Sequence, residues 1–217
     1  MIPKIIWQTH EPEYKDLPEM YKINSKTYKK LDGWEYRYSS NADREAFIAK
    51  YFPQYLHLYL YIGPGIHRAD FWRYLVLYKY GGFYADMDSK LFYKNDSYFS
   101  KSINDPDATF NVIKASAGLF NNCLIMCSKE NPIMKEIIDA VTSKCQGFYE
   151  EDYKIFPYSS WIYATGPEMY TSVINKHIDE ISYFYDPEYE VDHCGFRHGD
   201  IYKDEMDRNQ FMHLGQR

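Results

Sequence analysis

The amino-acid sequence predicts an α/β fold in which a mainly parallel central sheet is flanked by helices. Short β-rich segments alternate with longer segments of helical periodicity, and glycine or proline separates many of them. The first four elements are interpreted as strand, helix, strand and helix over Lys4–Trp7, Leu17–Leu31, Trp34–Tyr38 and Ala42–Phe52. The chain has 217 residues and no evident linker, so we expect a single domain over residues 1–217.

The composition and charge exclude several classes of protein. The formal net charge is −6, so the basic face of a nucleic-acid-binding protein is not expected. The longest apolar runs fall short of the roughly 18 residues that a membrane span needs, and the first residues lack the apolar region of a signal peptide. The four cysteines have neither C-x-x-C pairing nor zinc spacing with histidines. We therefore expect a cytoplasmic protein with reduced thiols, no transmembrane segment and no nucleic-acid partner.

One segment near the middle of the sequence organises the rest. His67–Tyr80 lacks Gly and Pro and is apolar on nearly every face, which predicts a buried helix. Gly81-Gly82 ends this helix, because glycine accepts the left-handed backbone conformation that closes a helix. Phe83–Met87 then predicts a strand whose alternation puts Asp86 and Asp88 on the same face.

Two pairs of charged residues in this segment suggest chemistry. Asp86 and Asp88 would repel each other unless a cation lay between them, and carboxylate oxygens suit Mg²⁺ or Mn²⁺, which usually also holds a substrate diphosphate. Asp70 and Arg73 share one face of the helix and could bind sugar hydroxyls or a phosphate. An ordinary intrahelical ion pair explains Asp70 and Arg73 equally well.

The complete string is more specific than its parts. It matches the pattern [S/A]-D-x-x-R-Y-x-x-L-x-x-x-G-G-x-Y-x-D-x-D at Ala69, Asp70, Arg73, Tyr74, Leu77, Gly81, Gly82, Tyr84, Asp86 and Asp88. This pattern resembles glycosyltransferase family 32, and the glucosylating clostridial toxins are similar over the same stretch. The resemblance implies the GT-A fold, a UDP- or GDP-sugar donor, Mn²⁺ or Mg²⁺ as cofactor, and transfer with retention to a glycan, protein or lipid-linked acceptor.

The resemblance also implies a set of site residues. The catalytic residues would be Asp70, Arg73, Asp86 and Asp88. The metal would be held by Asp86, Asp88 and, from a late histidine-containing segment, His213. Trp7, at the predicted end of the first strand, would stack on the donor base. The other substrate contacts would come from Gln8, Asn41, Asp70, Arg73, Tyr84, Asn121, Asn122, Thr165 and Gly166.

Several of these residues also have ordinary structural explanations. A tryptophan such as Trp7 is more often a core residue than a ligand-binding one. Asn41 or Ser40 can cap the second helix. Asn121-Asn122 can mark a turn or bulge within the strand Leu119–Cys127, where buried amides need partners.

Later segments complete the predicted elements. Phe110–Lys114 predicts another strand, and Asn131-Pro132 begins an amphipathic helix. Thr165-Gly166-Pro167 opens a further helix to Ile178, resembles the family's acceptor-side motif, and stands at a helix start, where anions are favoured. Gln146–Trp161 is irregular, which suits either a plain surface loop or an acceptor-facing one.

Two other functions remain open from the sequence. Haloacid-dehalogenase-type phosphatases also carry Asp-x-Asp after an apolar strand, although normally near the N-terminus and with Thr or Val two residues beyond the second Asp. Here Asp88 is followed by Ser89-Lys90 and comes after a long helix. The third hypothesis is a non-catalytic nucleotide or sugar binder that keeps the fold with an incomplete site.

Overall fold

The computed structural model of the chain describes residues 1–63, 65–91, 105, 107–115, 118–150, 158–186 and 196–197. The strands are β1 Ile5–Thr9, β2 Glu35–Ser39, β3 Gly82–Ala85, β4 Lys90–Leu91, β5 Phe110–Ala115, β6 Phe120–Cys127, β7 Ser182–Asp186 and β8 Phe196–Arg197. The helices are α1 Glu19–Lys29, α2 Asn41–Tyr51, α3 Pro53–Tyr61, α4 Gly65–Tyr80, α5 Pro132–Glu150, α6 Tyr158–Thr165 and α7 Pro167–Ile174.

The described strands form one large mixed sheet and one small ribbon. The large sheet has six strands in the order β2-β1-β3-β6-β5-β7. β1 is parallel to β2 and to β3, β5 is parallel to β7, and β6 runs antiparallel between β3 and β5. β4 and β8 pair antiparallel beside the sheet. The predicted α/β fold with a mostly parallel central sheet is therefore confirmed.

Apolar side chains cover both faces of the large sheet. Trp7, Tyr84 and Ile125 point to one face, where they join a core that includes residues of α2 to α7. Ile6 and Phe83, their neighbours along the strands, point to the other face, which packs against α1. Successive residues of a strand project to opposite faces, so the alternation in β1 and β3 produces both layers.

The two helix boundaries nearest the predicted site have clear local causes. Ser40 caps α2, because its hydroxyl accepts the Asp43 amide at 3.3 Å and the Asp43 carboxylate accepts the Ser40 amide at 2.9 Å. Asn41 is thus the first helical residue rather than the cap. α4 ends at Gly81, which has a φ of 67° and donates its amide to Leu77 O at 2.7 Å.

Two strand boundaries differ from the prediction and affect the site. β1 continues to Thr9, which puts Trp7 in the middle of the strand instead of at its end. β3 ends at Ala85, because the amide of Ser89 donates to Asp86 O at 3.1 Å and closes a turn. The alternation predicted to aim Asp86 and Asp88 the same way therefore stops before it reaches them.

The helices also differ in extent from the prediction. α3 was not predicted, although Pro53 suits its first turn. Within Gln146–Trp161, helix α5 continues to Glu150 and α6 begins at Tyr158, while residues 151–157 lie outside the described residues. α7 ends at Ile174 and a 3-10 turn follows over Asn175–His177. None of the helices in the described ranges is both long enough and apolar enough to span a membrane.

Candidate active site

The D-x-D segment leaves the sheet at the carboxyl end of β3. The amide of Asp86 still donates to Cys123 O on β6 at 2.9 Å. Met87 and Asp88 then form the middle of the turn that Ser89 closes, and the Met87 side chain is buried while Asp88 is half-buried. Because Asp88 belongs to a turn, its position depends on whatever holds this turn.

The Asp86 carboxylate is fixed by two side chains. The Tyr84 hydroxyl donates to Asp86 Oδ1 at 2.6 Å, and Arg73 Nη2 lies 3.2 Å from the same oxygen. The side chain of Asp86 is 27% exposed, so it stands at the boundary between the buried network and solvent. Asp86 is thus oriented before any ligand arrives.

Arg73 links three elements from a fully buried position. Its Nη2 lies 2.9 Å from Asp70 Oδ1, and its Nη1 donates to Asn122 O at 2.6 Å. The guanidinium also lies 4.5 Å from the centre of the Tyr84 ring. Burial alone lowers the pKa of Arg73, but the charge of Asp86, with Tyr84 and Asp70 adding to it, raises this pKa well above its usual value. The side chain remains a permanent cation.

Asp70 lies beneath this cation and is also buried. It accepts hydrogen bonds from Asn122 Nδ2 at 3.1 Å and from Thr165 Oγ1 at 3.3 Å, and His67 Nδ1 lies 3.6 Å from its carboxylate. The prediction that Asp70 and Arg73 share a helix face is confirmed, and in this structure they form the intrahelical ion pair. Their predicted contact with sugar hydroxyls remains a prediction.

A bulge in β6 brings Asn122 into this network. Val112 of β5 pairs with Ile125, but the next residue, Ile113, pairs with Asn121, so three residues of β6 have no counterpart in β5. Asn122 Nδ2 therefore reaches both Asp70 and the Tyr74 hydroxyl, at 3.1 and 2.9 Å. The bulge was one of the two predicted explanations of the Asn pair, and here it re-aims a side chain toward the candidate site.

Asn121 and Gly166 act in the backbone around the network. Asn121 Oδ1 accepts the Cys123 amide at 3.4 Å within the bulge. Gly166 precedes α7 without a positive φ, and a Cβ there would lie 2.6 Å from Ile162 O, so close packing accounts for the glycine. Thr165 is fully buried between His67 and Asp70. A direct acceptor contact from Thr165 or Gly166 remains a prediction.

The structure places Trp7 in the core, not at the end of β1. Only 5% of its surface is exposed, its ring stacks on Tyr80 at 5.6 Å, and its Nε1 donates to Gly81 O at 2.9 Å. Because β1 is longer than predicted, this ring is directed into the core and not toward the strand end. The stacking of Trp7 on a donor base, which this burial does not support, remains a prediction.

His10 is the ring that follows the carboxyl end of β1, and the sequence analysis missed it. It lies 4.9 Å from the ring of Tyr21. Burial lowers the pKa of His10, the nearby charges of Glu11 and Asp88 oppose this, and the pKa remains lowered overall. His10 is therefore close to the D-x-D segment and neutral at pH 7. The available signal was its place directly after the first strand, where ligands of α/β proteins gather.

Gln8 and Asn41 contact the protein in the described structure. Gln8 is fully buried; its amide donates to Asp86 O at 3.1 Å and accepts the Tyr36 hydroxyl at 3.0 Å. Asn41 Oδ1 accepts from Arg44 Nη2 at 3.1 Å. The Gln8 amide supports the D-x-D backbone, and a direct contact of Gln8 or Asn41 with substrate remains a prediction.

Asp86 and Asp88 are the carboxylates of the site that could hold a divalent metal. Among the described residues, no group of three or more His, Cys, Asp or Glu side chains could enclose a metal ion. His213 lies outside the described residues, as does most of the late segment that contains it. Mg²⁺ and Mn²⁺ commonly use one or two carboxylates together with water and substrate phosphates. Asp86 and Asp88 fit this kind of shared site in ligand type and in partial exposure.

Comparison with known proteins agrees with this geometry. Residues 5–108, which include α4, β3 and the D-x-D segment, match the family described as "Glycosyltransferase sugar-binding region containing DXD motif". The chain also resembles the solved PaToxG glycosyltransferase with a TM-score of 0.57 and 18% identity, over 82% of this chain and 70% of that one. The fold is thus of the GT-A type, and the family match favours a glycosyltransferase over the phosphatase alternative.

Two curated relatives are similar in sequence. Inositol phosphoceramide mannosyltransferase 3 of Schizosaccharomyces pombe is 28% identical over 174 residues, 80% of this chain and 44% of the relative. Initiation-specific alpha-1,6-mannosyltransferase of Saccharomyces cerevisiae is 31% identical over 108 residues, 46% of this chain and 22% of the relative. The chain thus spans less than half the length of either. The motif, the fold and the relatives thus agree that this chain is similar to the DXD-motif glycosyltransferases.

Proposed function

We propose that this protein transfers a mannosyl group from a nucleotide-activated donor to an acceptor. Both curated relatives are named as mannosyltransferases, whereas one name specifies an inositol phosphoceramide acceptor and the other an alpha-1,6 linkage. The shared term is the sugar, so the sugar is proposed and the acceptor stays open among glycan, protein and lipid-linked classes. Retention of configuration is part of the proposal and rests on the family resemblance.

The main support for the proposal is the contact between the D-x-D turn and the end of β1. The Gln8 amide of β1 donates to Asp86 O at 3.1 Å, and the charge of Asp88 acts on His10, which follows β1. In α/β folds, ligands bind outside the carboxyl ends of parallel strands, and β1 and β3 are parallel neighbours. Asp86 and Asp88 are both partly exposed at this edge.

In the proposed reaction, Asp88 and Asp86 would hold Mn²⁺ or Mg²⁺. When bound, the metal would neutralise the negative charge that develops on the leaving diphosphate. Arg73 and Tyr84 keep Asp86 oriented through the contacts on its Oδ1. Asp70 and Arg73 border the proposed sugar subsite, and Asn122 and Thr165 hold Asp70 in place.

Asp88→Asn tests the proposal, because it removes the charge and keeps the shape of the side chain. We expect the rate of metal-dependent transfer from GDP-mannose to fall by about a thousandfold. This factor corresponds to the several kcal/mol by which a metal ion is expected to stabilise the transition state. UDP-glucose serves as the comparison donor, and heat-induced unfolding shows whether the variant still folds. Asp139→Asn is the matched control, because Asp139 lies on the exposed face of α5, paired with Lys135.

The outcomes separate the remaining hypotheses. Full activity of a folded Asp88→Asn protein would contradict the metal role. Manganese-dependent binding of GDP or UDP without hydrolysis or transfer from any donor would instead favour the non-catalytic binder. Faster transfer from UDP-glucose than from GDP-mannose would contradict the choice of sugar while leaving transfer itself intact.

A further inference from the structure

Helix α1 presents one polar row toward the D-x-D turn. Asn24, Thr27 and Tyr28 are spaced three and four residues apart, so they lie on the same face of the helix. Asn24 and Tyr28 are buried and Thr27 is half-buried. Polar side chains on the buried face of a helix require hydrogen-bond partners, and the identity of these partners indicates the role of the row.

All three side chains bind the segment that follows β3. Asn24 Nδ2 donates to Met87 O at 3.3 Å, and Thr27 Oγ1 accepts the Leu91 amide at 3.0 Å. The Tyr28 hydroxyl lies 2.6 Å from Ser89 Oγ. The row thus holds every second residue from position 87 to position 91, on both sides of Asp88.

Ser89 connects the α1 row to the backbone of Asp86 through hydrogen bonds. Ser89 Oγ donates to Asp86 O at 2.5 Å, so its single hydrogen is used there and the Tyr28 hydroxyl is the donor toward Ser89. Tyr28 and Ser89 are fully buried. Water cannot replace a hydrogen bond at such a position, so losing it leaves a polar group unsatisfied.

The two acids of the D-x-D segment have different anchors. The Asp86 carboxylate is fixed by Arg73 of α4 and Tyr84 of β3. Asp88 lies in the turn beyond β3, and the α1 row holds the residues on either side of it. Loosening α1 should therefore displace Asp88 while leaving the Asp86 carboxylate in its network.

We propose that Asn24, Thr27 and Tyr28 of α1 are positioning residues that fix Asp88 for metal binding and so set the affinity of the D-x-D segment for its cation. This inference rests on the metal role in the proposed function. The three side chains act through Met87, Ser89 and Leu91 and are not themselves metal ligands. They thereby give α1, which contributes none of the predicted site residues, a part in the reaction.

The test uses the full chain with Tyr28→Phe and Thr27→Val, each of which removes a hydroxyl at nearly constant shape. Free Mn²⁺ is measured by electron paramagnetic resonance during titration with manganese chloride alone. We expect each variant to bind Mn²⁺ about fivefold more weakly, the factor expected from one neutral hydrogen bond. Amide hydrogen exchange in the metal-free protein should become faster at Ser89 and Leu91.

Matched controls carry the same substitutions elsewhere. Tyr59→Phe alters a fully buried tyrosine in the core on the opposite face of the sheet. Thr142→Val removes a half-buried hydroxyl that donates to Ile138 O within α5 at 2.8 Å. Both controls should keep wild-type Mn²⁺ affinity even where the melting temperature falls, which separates positioning from a general loss of stability.

Each outcome decides a different claim. Wild-type protein that binds no Mn²⁺ would overturn the metal role in the proposed function, and this inference with it. Wild-type binding that both α1 variants match would overturn the inference alone, whatever the exchange rates show. An equal loss of affinity in the control variants would also overturn it, since the effect would then be unspecific.

Discussion

At the scale of single residues, Arg73 is the group on which the candidate site depends most. One guanidinium contacts Asp70, Asp86 and the carbonyl of Asn122, and so joins α4, the D-x-D segment and the β6 bulge. Only a planar side chain with several fixed donors can make these contacts together. The ion pair that the sequence suggested is therefore part of a larger network in which two carboxylates share one cation.

Arg73→Lys tests this sharing. A lysine keeps the charge but not the fork of donors, so at least one buried oxygen loses its partner. We expect the free energy of unfolding to fall by about 2 kcal/mol, measured by urea denaturation. Arg37→Lys is the control, because Arg37 pairs with Glu35 on the surface and its replacement should cost about 0.5 kcal/mol or less. An equal loss of unfolding free energy in the two variants would show that the guanidinium geometry at Arg73 does not contribute to stability.

At the same scale, the position of Trp7 differs from the expected one for a simple reason. The sequence indicated a tryptophan at the end of a short strand, and the strand proved to end two residues later, at Thr9. That difference moves the ring from the strand end to the core, and His10 becomes the ring beside the turn. Element boundaries are where sequence-based prediction is least accurate, and a residue's role near a site depends on them.

At the scale of elements, the double glycine fixes how α4 passes into β3. Gly81 has a φ of 67°, and an added Cβ would lie 2.6 Å from Lys129 N and 2.9 Å from Cys127 O. Gly82 also has a positive φ, 108°, and a Cβ there would lie 2.4 Å from Ile5 O. This turn allows β3 to start directly beside β1, and so brings the D-x-D segment to the carboxyl end of β1.

Gly81→Ala should therefore be strongly destabilising. The left-handed backbone alone costs a non-glycine residue about 1 kcal/mol, and the clash with neighbouring backbone adds to that cost. Gly33→Ala separates the two contributions, because Gly33 has a φ of 73° but no atom within 4 Å of the added Cβ. We expect Gly81→Ala to lower the melting temperature by clearly more than Gly33→Ala. A similar decrease in melting temperature in both variants would mean that the backbone around Gly81 shifts to accommodate the Cβ at little cost.

At the scale of the whole molecule, α5 is connected to the turn after α7 by a titratable contact. His177 Nε2 lies 2.7 Å from Glu136 Oε2, and its Nδ1 lies 2.9 Å from Glu180 Oε1. The hydrogen bond to Glu136, followed by that to Glu180, raises the pKa of His177 above its ordinary 6.5. Protonation of His177 therefore stabilises the folded protein relative to the unfolded chain.

The sign of the resulting pH dependence follows from linkage. A raised folded-state pKa gives stability that is complete below 6.5 and is lost as the pH rises through the folded value. The melting temperature of the wild-type protein should fall between about pH 6 and pH 8, and in His177→Gln we expect this fall to be smaller. His57→Gln, an exposed substitution on α3, is the control. An unchanged pH profile in His177→Gln would show that this contact carries no stability.

By itself, the sequence determined the fold class, the buried helix α4, the glycine stop and the motif that resembles glycosyltransferase family 32. These features are local: they depend on periodicity, on backbone freedom at Gly81 and on the spacing of Asp86 and Asp88. The expectation of one domain over residues 1–217 stays a prediction. So do the roles of His213, which lies outside the described residues, and of the acceptor-side residues.

Only the tertiary structure decided which side chains meet. The β6 bulge turns Asn122 toward Asp70, the length of β1 buries Trp7, and a row on α1 holds the residues around Asp88. Each of these contacts joins positions that are far apart in the chain, and their geometry depends on strand register and helix orientation. Local patterns do not encode register across a sheet, so the sequence could name the acids of the site but not what holds them.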